Sequence, residues 1–426
     1  MRRVRGQSRR GVLALLVLLV QVLQTAPSAH AVAACSTTQN TYIGNGTNGS
    51  NGVSYTTFSI TQTGSCTWTV PAGLTQADIL IVGGGGGGAG GNSSGNGGGG
   101  GGGGGGAMVA SNYPLTPSTS LSIIVGGGGS AGTSAYNNGD ATLGSQGGTT
   151  TFDQITAGGG GGGGYSSTAG FATQAGKPGT AGGGGGGASN HWYAYNDAVG
   201  GVGNKAAGGA GTTAHVGSQT YLGKTGGSGG IYVGGQSGIG SAGSGGGAVD
   251  TATSGASPAP GAALSSYITG SAANYGLGGL AYGATGWTAG VTATGIGTGG
   301  SGGNSTTSGS SGTNGIVVIR FATAVTINSF NLTSNNSIGT YRALSPIVIN
   351  VSIPAIVTFY AANKRIPGCI KIPTTGTSPN IVAQCNWKPS THGQIQISAI
   401  ASTTGGGGST AVGPINISVI VRSGTR

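Results

Sequence analysis

The sequence has no glutamate and only five aspartates, and charged residues make up 5% of its 426 residues. General acid–base chemistry therefore has few carboxyl groups to use. His191 and Asp197 lie close in sequence, but no strand–turn–helix elbow places a serine beside them as a nucleophile. The cysteines and histidines lack the spacing of metal ligands. The sequence predicts a protein that is not an enzyme and that holds no metal or cofactor.

Two nucleotide-binding patterns are incomplete. Gly83, Gly85 and Gly88 follow a strand-like run with the spacing of a dinucleotide fingerprint, but no helix pattern or suitably placed acid follows. Lys224 resembles the lysine of a phosphate-binding loop, yet the position that requires the first glycine is Ser218. Neither pattern predicts a nucleotide site.

The N-terminus has the features of an export signal. Five arginines in the first ten residues precede an apolar run over 11–23, and Ala29 and Ala31 suit cleavage after residue 31. Both the general secretory route and the twin-arginine route remain open. No later run is long enough for a transmembrane segment. Residues 1–31 are therefore predicted to be a signal peptide, and the mature chain to be secreted or held at the extracellular cell surface.

Cysteine is also scarce, at four residues. In an exported chain, four cysteines favour two disulfides. Their order and the change in composition between them predict the pairs Cys35–Cys66 and Cys369–Cys385. An alternative stays open for Cys35, because residues 32–35 resemble a lipobox at which bacterial lipoproteins are lipidated.

The positive charge is unevenly distributed. The formal charge of +11 includes the five signal arginines, so the mature chain carries 11 minus 5, or +6. Residues 32–321 have four cations and five aspartates, whereas residues 322–426 have seven cations and no acid. No nucleic-acid motif accompanies these cations. They predict contact of the C-terminal region with an anionic cell-wall polymer, or simply a solvated surface, and no binding of nucleic acid.

Glycine is abundant, with 100 residues, and it occurs in tracts bracketed by strand patterns. Ten consecutive glycines occupy 97–106. The continuous apolar runs 79–82 and 316–319 suit strands buried on both faces, and 121–125 is similar. A tract of this kind is either a flexible spacer or a polyglycine-II helix, which packs side by side with others because no Cβ intervenes. The bracketing strands favour an ordered bundle.

Four segments together resemble a bacterial glycine-rich domain family of secreted surface proteins and tail-fibre-like proteins. They are residues 67–73, the run 79–82 leading into Gly83–Gly88, residues 123–127 and the closing segment 312–321. The resemblance covers about 55–321. It implies an all-β fold, in which a β-sandwich frame carries a polyglycine-II helix bundle. After Gly200 the glycines come in twos and threes among Ala, Ser and Thr, which does not predict a regular bundle there.

The C-terminal region alternates apolar and polar residues in short stretches separated by prolines, which is typical of an immunoglobulin-like (Ig-like) β-sandwich. The segments 357–369 and 383–389 resemble Ig-like domains of exported bacterial surface proteins. The predicted organisation is therefore a signal peptide over 1–31, a glycine-rich domain over 32–321 and an Ig-like domain over 322–426.

One aromatic cluster stands between two glycine stretches: His191, Trp192, Tyr193 and Tyr195. In the tail-fibre adhesins that the chain resembles, loops at the tip of the bundle carry recognition residues, and Trp and Tyr are favoured contact residues. These four are the predicted ligand-binding residues, for a cell-surface glycan or protein; the alternative is that their rings cap the bundle or cover its flank. Fainter candidates are Tyr165, Tyr275, Tyr282 and Trp287. The sequence thus predicts a structural and adhesive surface protein; the alternatives are a purely architectural envelope or matrix protein and a secreted carbohydrate-binding module.

Overall fold

A computed structural model of the chain describes most residues between 32 and 420. The described ranges are 32–51, 53–72, 74–91, 98–135, 141–165, 183–187, 213–223, 225–227, 247–249, 259–281, 292–304, 306–323, 327–332, 339–340, 344–352, 354–377, 380–403 and 409–420, with the single residues 179, 207, 209, 210, 245, 252 and 325. Within these ranges the regular secondary structure is entirely β, which confirms the predicted all-β class. They contain no helix long and apolar enough to span a membrane.

The strands in the described ranges are numbered along the chain. They are β1 Thr38–Ile43, β2 Ser54–Ile60, β3 Gly64–Thr69, β4 Gln76–Val82, β5 Ala107–Pro114, β6 Ser120–Val125, β7 Thr150–Phe152, β8 Ile155–Ala157, β9 Thr213–Val216, β10 Gln219–Leu222, β11 Leu264–Ser266, β12 Ala273–Tyr275, β13 Ile316–Ala322, β14 Ile327–Leu332, β15 Gly339–Thr340, β16 Ser345–Val351, β17 Ala355–Ala361, β18 Lys364–Arg365, β19 Ile372–Pro373, β20 Ile381–Trp387, β21 Gly393–Thr403 and β22 Ser409–Ile420.

Two antiparallel sheets form a sandwich from which the glycine tracts leave. The first has the order β1-β2-β13-β4-β5 and the second the order β3-β6-β7-β8. Strand β13 lies between β2 and β4, where Val318 is opposite both Ser59 and Leu80. The shared core contains Trp68, Tyr113, Phe152, Ile79 and Ile319. Because β13 lies between β2 and β4, the strand that completes the first sheet follows the whole glycine-rich segment in the sequence.

The central strands β4 and β13 are buried on both faces, as their continuous apolar runs predict. Leu80 and Val318 point away from the sandwich core and pack with Ile268 and Tyr275 from the β11–β12 hairpin. The similar expectation for 121–125 is wrong, because β6 covers the core with one face only and Ile124 is 39% exposed. An apolar run alone does not show whether a second layer covers the strand.

Both predicted cysteine pairs are disulfides in this structure. Cys35 is bonded to Cys66 on β3, and Cys369 is bonded to Cys385 on β20. Cys66, Cys369 and Cys385 are buried within hydrophobic clusters. Each bond therefore joins a loop or terminal segment to a core strand.

The strands after β13 enclose a separate cluster of buried residues. One sheet has the order β14-β16-β20, and the other has the order β15-β22-β21-β17-β18, with β19 also pairing with β17. Their facing sides contribute Ile349, Phe359, Trp387, Ile397 and Ile417 to one core. The alternation of apolar and polar residues predicted for the C-terminal region thus corresponds to inward-facing apolar residues, for example at 347–351 in β16 and 415–419 in β22. The division of the chain at 321/322 stays a prediction.

Candidate functional site

The glycine tract that follows β4 is surrounded by other glycine-rich tracts. Successive N–H groups of this tract donate in turn to three antiparallel tracts, so that every third residue donates to the same tract. Its C=O groups accept in the same way from three parallel tracts. The donated bonds are Gly83 to Gly106, Gly84 to Gly148, Gly85 to Thr313, Gly86 to Gly103, Gly87 to Ser145, Gly88 to Ser310, Ala89 to Gly100 and Gly90 to Thr142. A direction that repeats every third residue is that of a polyglycine-II helix, which has three residues per turn and no internal hydrogen bonds. The tracts therefore form a bundle.

The second central tract, 98–106, belongs to the decaglycine run. It pairs with 83–91 and donates to 158–164 and 297–303, again in a rotation of three. Its remaining sides face 183–187, 276–280 and Gly245. Since the backbone has no partner within its own helix, these lateral bonds satisfy groups whose burial would otherwise be costly.

Close approach of the backbones explains why the central tracts are glycine at every position except Ala89. A Cβ on Gly86 would come within 3.0 Å of backbone atoms of Gly160 and Gly161, and one on Gly103 would meet Gly184 in the same way. Such separations are sterically forbidden, and the obstructing atoms are backbone atoms, which have no alternative rotamer. The long glycine runs are therefore required by their central position.

Peripheral tracts need glycine only at the position that faces inward. In 308–315 the inward positions are Gly309, Gly312 and Gly315, at every third residue, and their N–H groups donate to Gly132, Gly129 and Gly126. The outward positions carry polar side chains that accept from the neighbouring backbone. These bonds run from Gly128 N to Asn314 Oδ1 at 3.0 Å, from Ala131 N to Ser311 Oγ at 3.3 Å and from Ser134 N to Ser308 Oγ at 3.3 Å. Side-chain oxygens here take the place of the carbonyls of a further tract.

The expectation that regularity ends after Gly200 is wrong for two tracts. Segments 297–303 and 308–315 mix glycine with Ser and Thr, yet both belong to the ring around 83–91. Thr298 N donates to Thr313 Oγ1 at 2.7 Å, and Ser301 N donates to Ser310 Oγ at 2.8 Å. A peripheral tract is therefore indicated in sequence by a glycine at every third position. An unbroken glycine run also satisfies this pattern, so the run alone does not reveal the period of three.

An ion pair joins the neighbouring strands β4 and β13 of the first sheet. The Arg320 guanidinium bonds to Asp78 Oδ2 at 2.6 and 3.1 Å, donates to Asn48 O at 2.9 Å and lies 5.0 Å from the centre of the Tyr55 ring. Burial disfavours the charge of Arg320, but the hydrogen bonds to Asp78 and Tyr42 outweigh that effect and raise its pKa above the ordinary value. The geometry is that of a structural clamp, since Arg320 is engaged with the protein on several sides.

A second polar contact lies beside the sandwich core. The hydroxyl of the buried Tyr113 donates to Asp153 Oδ2 at 2.6 Å. Burial, and then the bond to Asp153, raise the pKa of Tyr113 strongly. The hydroxyl is thus held in its neutral form as a hydrogen-bond donor, which is a structural role. Among the described residues, no three His, Cys, Asp or Glu side chains are grouped as metal ligands.

Tracts with the direction of 83–91 lead away from the sandwich, because residue 83 follows β4 directly. We call the far end of the bundle the distal end and define it by Gly91, Gly98, Tyr165, Gly187 and Asn304. Hydrogen bonds show that these tract ends lie beside one another: Gly99 N donates to Gly303 O, Gly100 N to Gly164 O, Gly164 N to Gly187 O and Gly187 N to Gly101 O. Tract 183–187 therefore runs outward, and its last described residue is at the distal end.

The predicted ligand-binding residues have different outcomes. His191, Trp192, Tyr193 and Tyr195 lie outside the described residues, as do Tyr282 and Trp287. Tyr165 is partly exposed at the distal end. Tyr275 was a wrong candidate, because it is 1% exposed and packs against β4 and β13. The β11–β12 hairpin covers the sheet at this point and buries the Tyr275 ring.

The two sheets and the ring of threefold tracts define an all-β sandwich that carries a polyglycine-II bundle. The sequence model of the glycine-rich domain family matches residues 60–322, from the end of β2 to the end of β13. The chain belongs to this family. No curated protein matches the chain. The matched span includes both sheets of the first sandwich, apart from β1 and most of β2, and the tracts between them.

Proposed function

We propose that this chain is an exported bacterial cell-surface protein that presents loops from a rigid polyglycine scaffold and uses them for adhesion, without catalysis. The observation that carries the proposal is the direction of the tracts. Several outward tracts end at the distal end, and the tract 183–187 runs outward to Gly187, three residues before the aromatic segment 190–197. An aromatic segment that follows such a tract is suited to contact a partner.

The scaffold suits this role physically. Its two central tracts, 83–91 and 98–106, contain only glycine and Ala89, so they have no side-chain rotamers to repack. Lateral hydrogen bonds join 83–91 to six neighbouring tracts and 98–106 to five. Bending one tract would break hydrogen bonds in several others, so the bundle is expected to hold its distal loops at a fixed distance from the sandwich. Tyr165, which follows Gly164, supplies a described aromatic residue at the same end.

Export is supported by the arginine-rich, apolar N-terminus and by two disulfides, which persist in oxidising compartments. The C-terminal strands are proposed to be an Ig-like domain that spaces the bundle and contacts an anionic cell-wall polymer. Support comes from the two sheets around one core and from seven cations without an acid in 322–426.

The adhesive role is tested by replacing Trp192, Tyr193 and Tyr195 together with alanine. The matched control is Tyr267→Ala, which removes a 42% exposed aromatic residue from the connection between β11 and β12. Cell attachment and glycan-array binding should fall at least tenfold in the triple variant only, since aromatic anchors dominate contacts of this kind. Unchanged attachment with an unchanged melting temperature would instead support the purely architectural role. Binding only to soluble sugars would support a carbohydrate-binding module.

A further inference from the structure

The outer face of the sheet β15-β22-β21-β17-β18 carries a row of polar side chains. Residues that are opposite each other in antiparallel strands point to the same side of a sheet. Tyr360 is opposite Arg365 on β18 and Ser398 on β21, and Gln396 is opposite Asn416 on β22. Their neighbours along these strands, such as Phe359 and Ile397, point into the core. The row therefore lies on the side away from the core.

This row is accessible, and every side chain in it carries a polar group. Arg365, Gln396 and Asn416 are exposed, while Tyr360 and Ser398 are partly exposed. Within the described part of the chain, the side chains of Arg365, Gln396 and Asn416 have no hydrogen-bond or ion-pair partner. Across four strands spaced about 4.8 Å apart, the row extends about 14 Å. That length suits a chain of several sugar residues.

The residue types indicate which kind of ligand fits. A guanidinium binds a carboxylate or a phosphate with two parallel hydrogen bonds. No acidic side chain occurs in the sequence after Asp250, and among the described residues Arg365 has no ion-pair partner. The two amides offer carbonyl acceptors as well as N–H donors. Sugar hydroxyls satisfy both kinds of group, whereas phosphodiester oxygens only accept. The phenol ring of Tyr360 adds an apolar surface against which a sugar face packs.

We propose that this face binds a carboxylated polysaccharide, with Arg365 holding a uronate carboxylate and Tyr360, Gln396 and Asn416 contacting the adjoining sugar. The proposal rests on the proposed contact with an anionic polymer and names the surface and the chemical class of that polymer. Lys364 is not part of the site, because it is opposite Ala361 and so projects on the other side of β18.

Titration of the full chain with oligogalacturonate, an uncharged glucan oligomer and inorganic polyphosphate tests the proposal. We expect binding to oligogalacturonate that Arg365→Gln weakens about tenfold or more, as expected for loss of a charge-assisted hydrogen bond. Lys364→Gln removes the same charge from the same strand and should change the affinity less than twofold. Gln396→Ala with Asn416→Ala should weaken binding without changing the melting temperature.

Three results would overturn this assignment. Equal losses in the Arg365 and Lys364 variants would show binding through net charge alone, and equal or tighter binding of polyphosphate would exclude carboxylate recognition. Absence of oligogalacturonate binding would reject the face as such a site. The distal adhesive role fails separately, since it depends on whether the Trp192, Tyr193 and Tyr195 substitutions reduce cell attachment.

Discussion

A single methyl group placed at the centre of the bundle should be more damaging than the same group at its surface. Gly86→Ala puts a Cβ against backbone atoms of Gly160 and Gly161, none of which can rotate away. Gly127→Ala is the matched control in the same bundle, because the nearest atom to its Cβ is Thr63 Cγ2 at 4.0 Å. Both changes add one carbon atom to one glycine of a lateral hydrogen-bond network.

The magnitude follows from what must move. To admit the methyl group of Gly86→Ala, tract 158–164 must shift away from 83–91, which weakens the bonds from Gly160 N to Gly84 O and from Gly163 N to Gly87 O. Two net hydrogen bonds contribute about 1 to 3 kcal/mol, and overpacking costs about 1 to 3 kcal/mol more. Alanine lowers the entropy of the unfolded chain, which offsets at most about 1 kcal/mol of this. We expect a net loss of about 1 to 5 kcal/mol.

In Gly127→Ala only the entropic effect should remain, so the variant should be unchanged or more stable by about 0.4 to 1 kcal/mol. Differential scanning calorimetry and urea unfolding of both variants, with the disulfides intact, measure the difference. Circular dichroism of the folded states checks that the strands are retained. Equal unfolding midpoints for the two variants would refute the close-packed bundle, because a flexible glycine spacer would accept alanine equally well at both positions.

Three further predictions address individual contacts. Asn314→Ala removes the acceptor of Gly128 N, so the exchange of that amide hydrogen should accelerate about tenfold while the next amides of the tract stay protected; uniform exchange along the tract would contradict the side-chain role. The pKa of Tyr113 in the folded protein is raised above its ordinary value of 10.0, so below pH 10 its hydroxyl is neutral in the folded and in the unfolded chain. Above pH 10 the hydroxyl ionises first in the unfolded chain, so the free energy of unfolding should fall as the pH rises. Tyr113→Phe should make this fall shallower in alkaline unfolding curves, and an unchanged slope would count against it. Replacing Cys369 and Cys385 by alanine should cost about 3 kcal/mol, since the bond closes a loop with a sequence separation of 16; a loss below about 1 kcal/mol in urea unfolding would show that the unfolded loop is already compact.

Much of the frame could be read from local patterns. The runs 79–82 and 316–319 indicated strands buried on both faces, and the structure places them side by side as the centre of one sheet. The cysteine pairs followed from order and composition. The run 121–125 shows the limit of this reasoning, because an apolar run does not reveal whether a second layer covers the strand, and here none of the described residues does so at Ile124.

The candidate binding surfaces were less accessible to sequence reasoning. The aromatic segment at 190–197 is visible as a cluster in one place. The row formed by Arg365, Tyr360, Ser398, Gln396 and Asn416 comes from four strands, so no spacing along the chain reveals it. Sequence reasoning also misplaced Tyr275 at the surface, because only the packing of the β11–β12 hairpin shows that its ring is covered.

The sequence by itself determined that the chain is all-β, that its glycine tracts start from core strands and that chemistry-bearing residues are few, because composition and the two-residue period are local properties. Only the tertiary structure decided which tracts are central. A polyglycine-II helix makes no internal hydrogen bonds, so each tract is defined by its neighbours, and those neighbours lie far away in sequence. Residues 83–91 and 98–106 are glycine-rich because six backbones surround each of them, and 308–315 keeps glycine at every third residue because one of its three faces is turned inward.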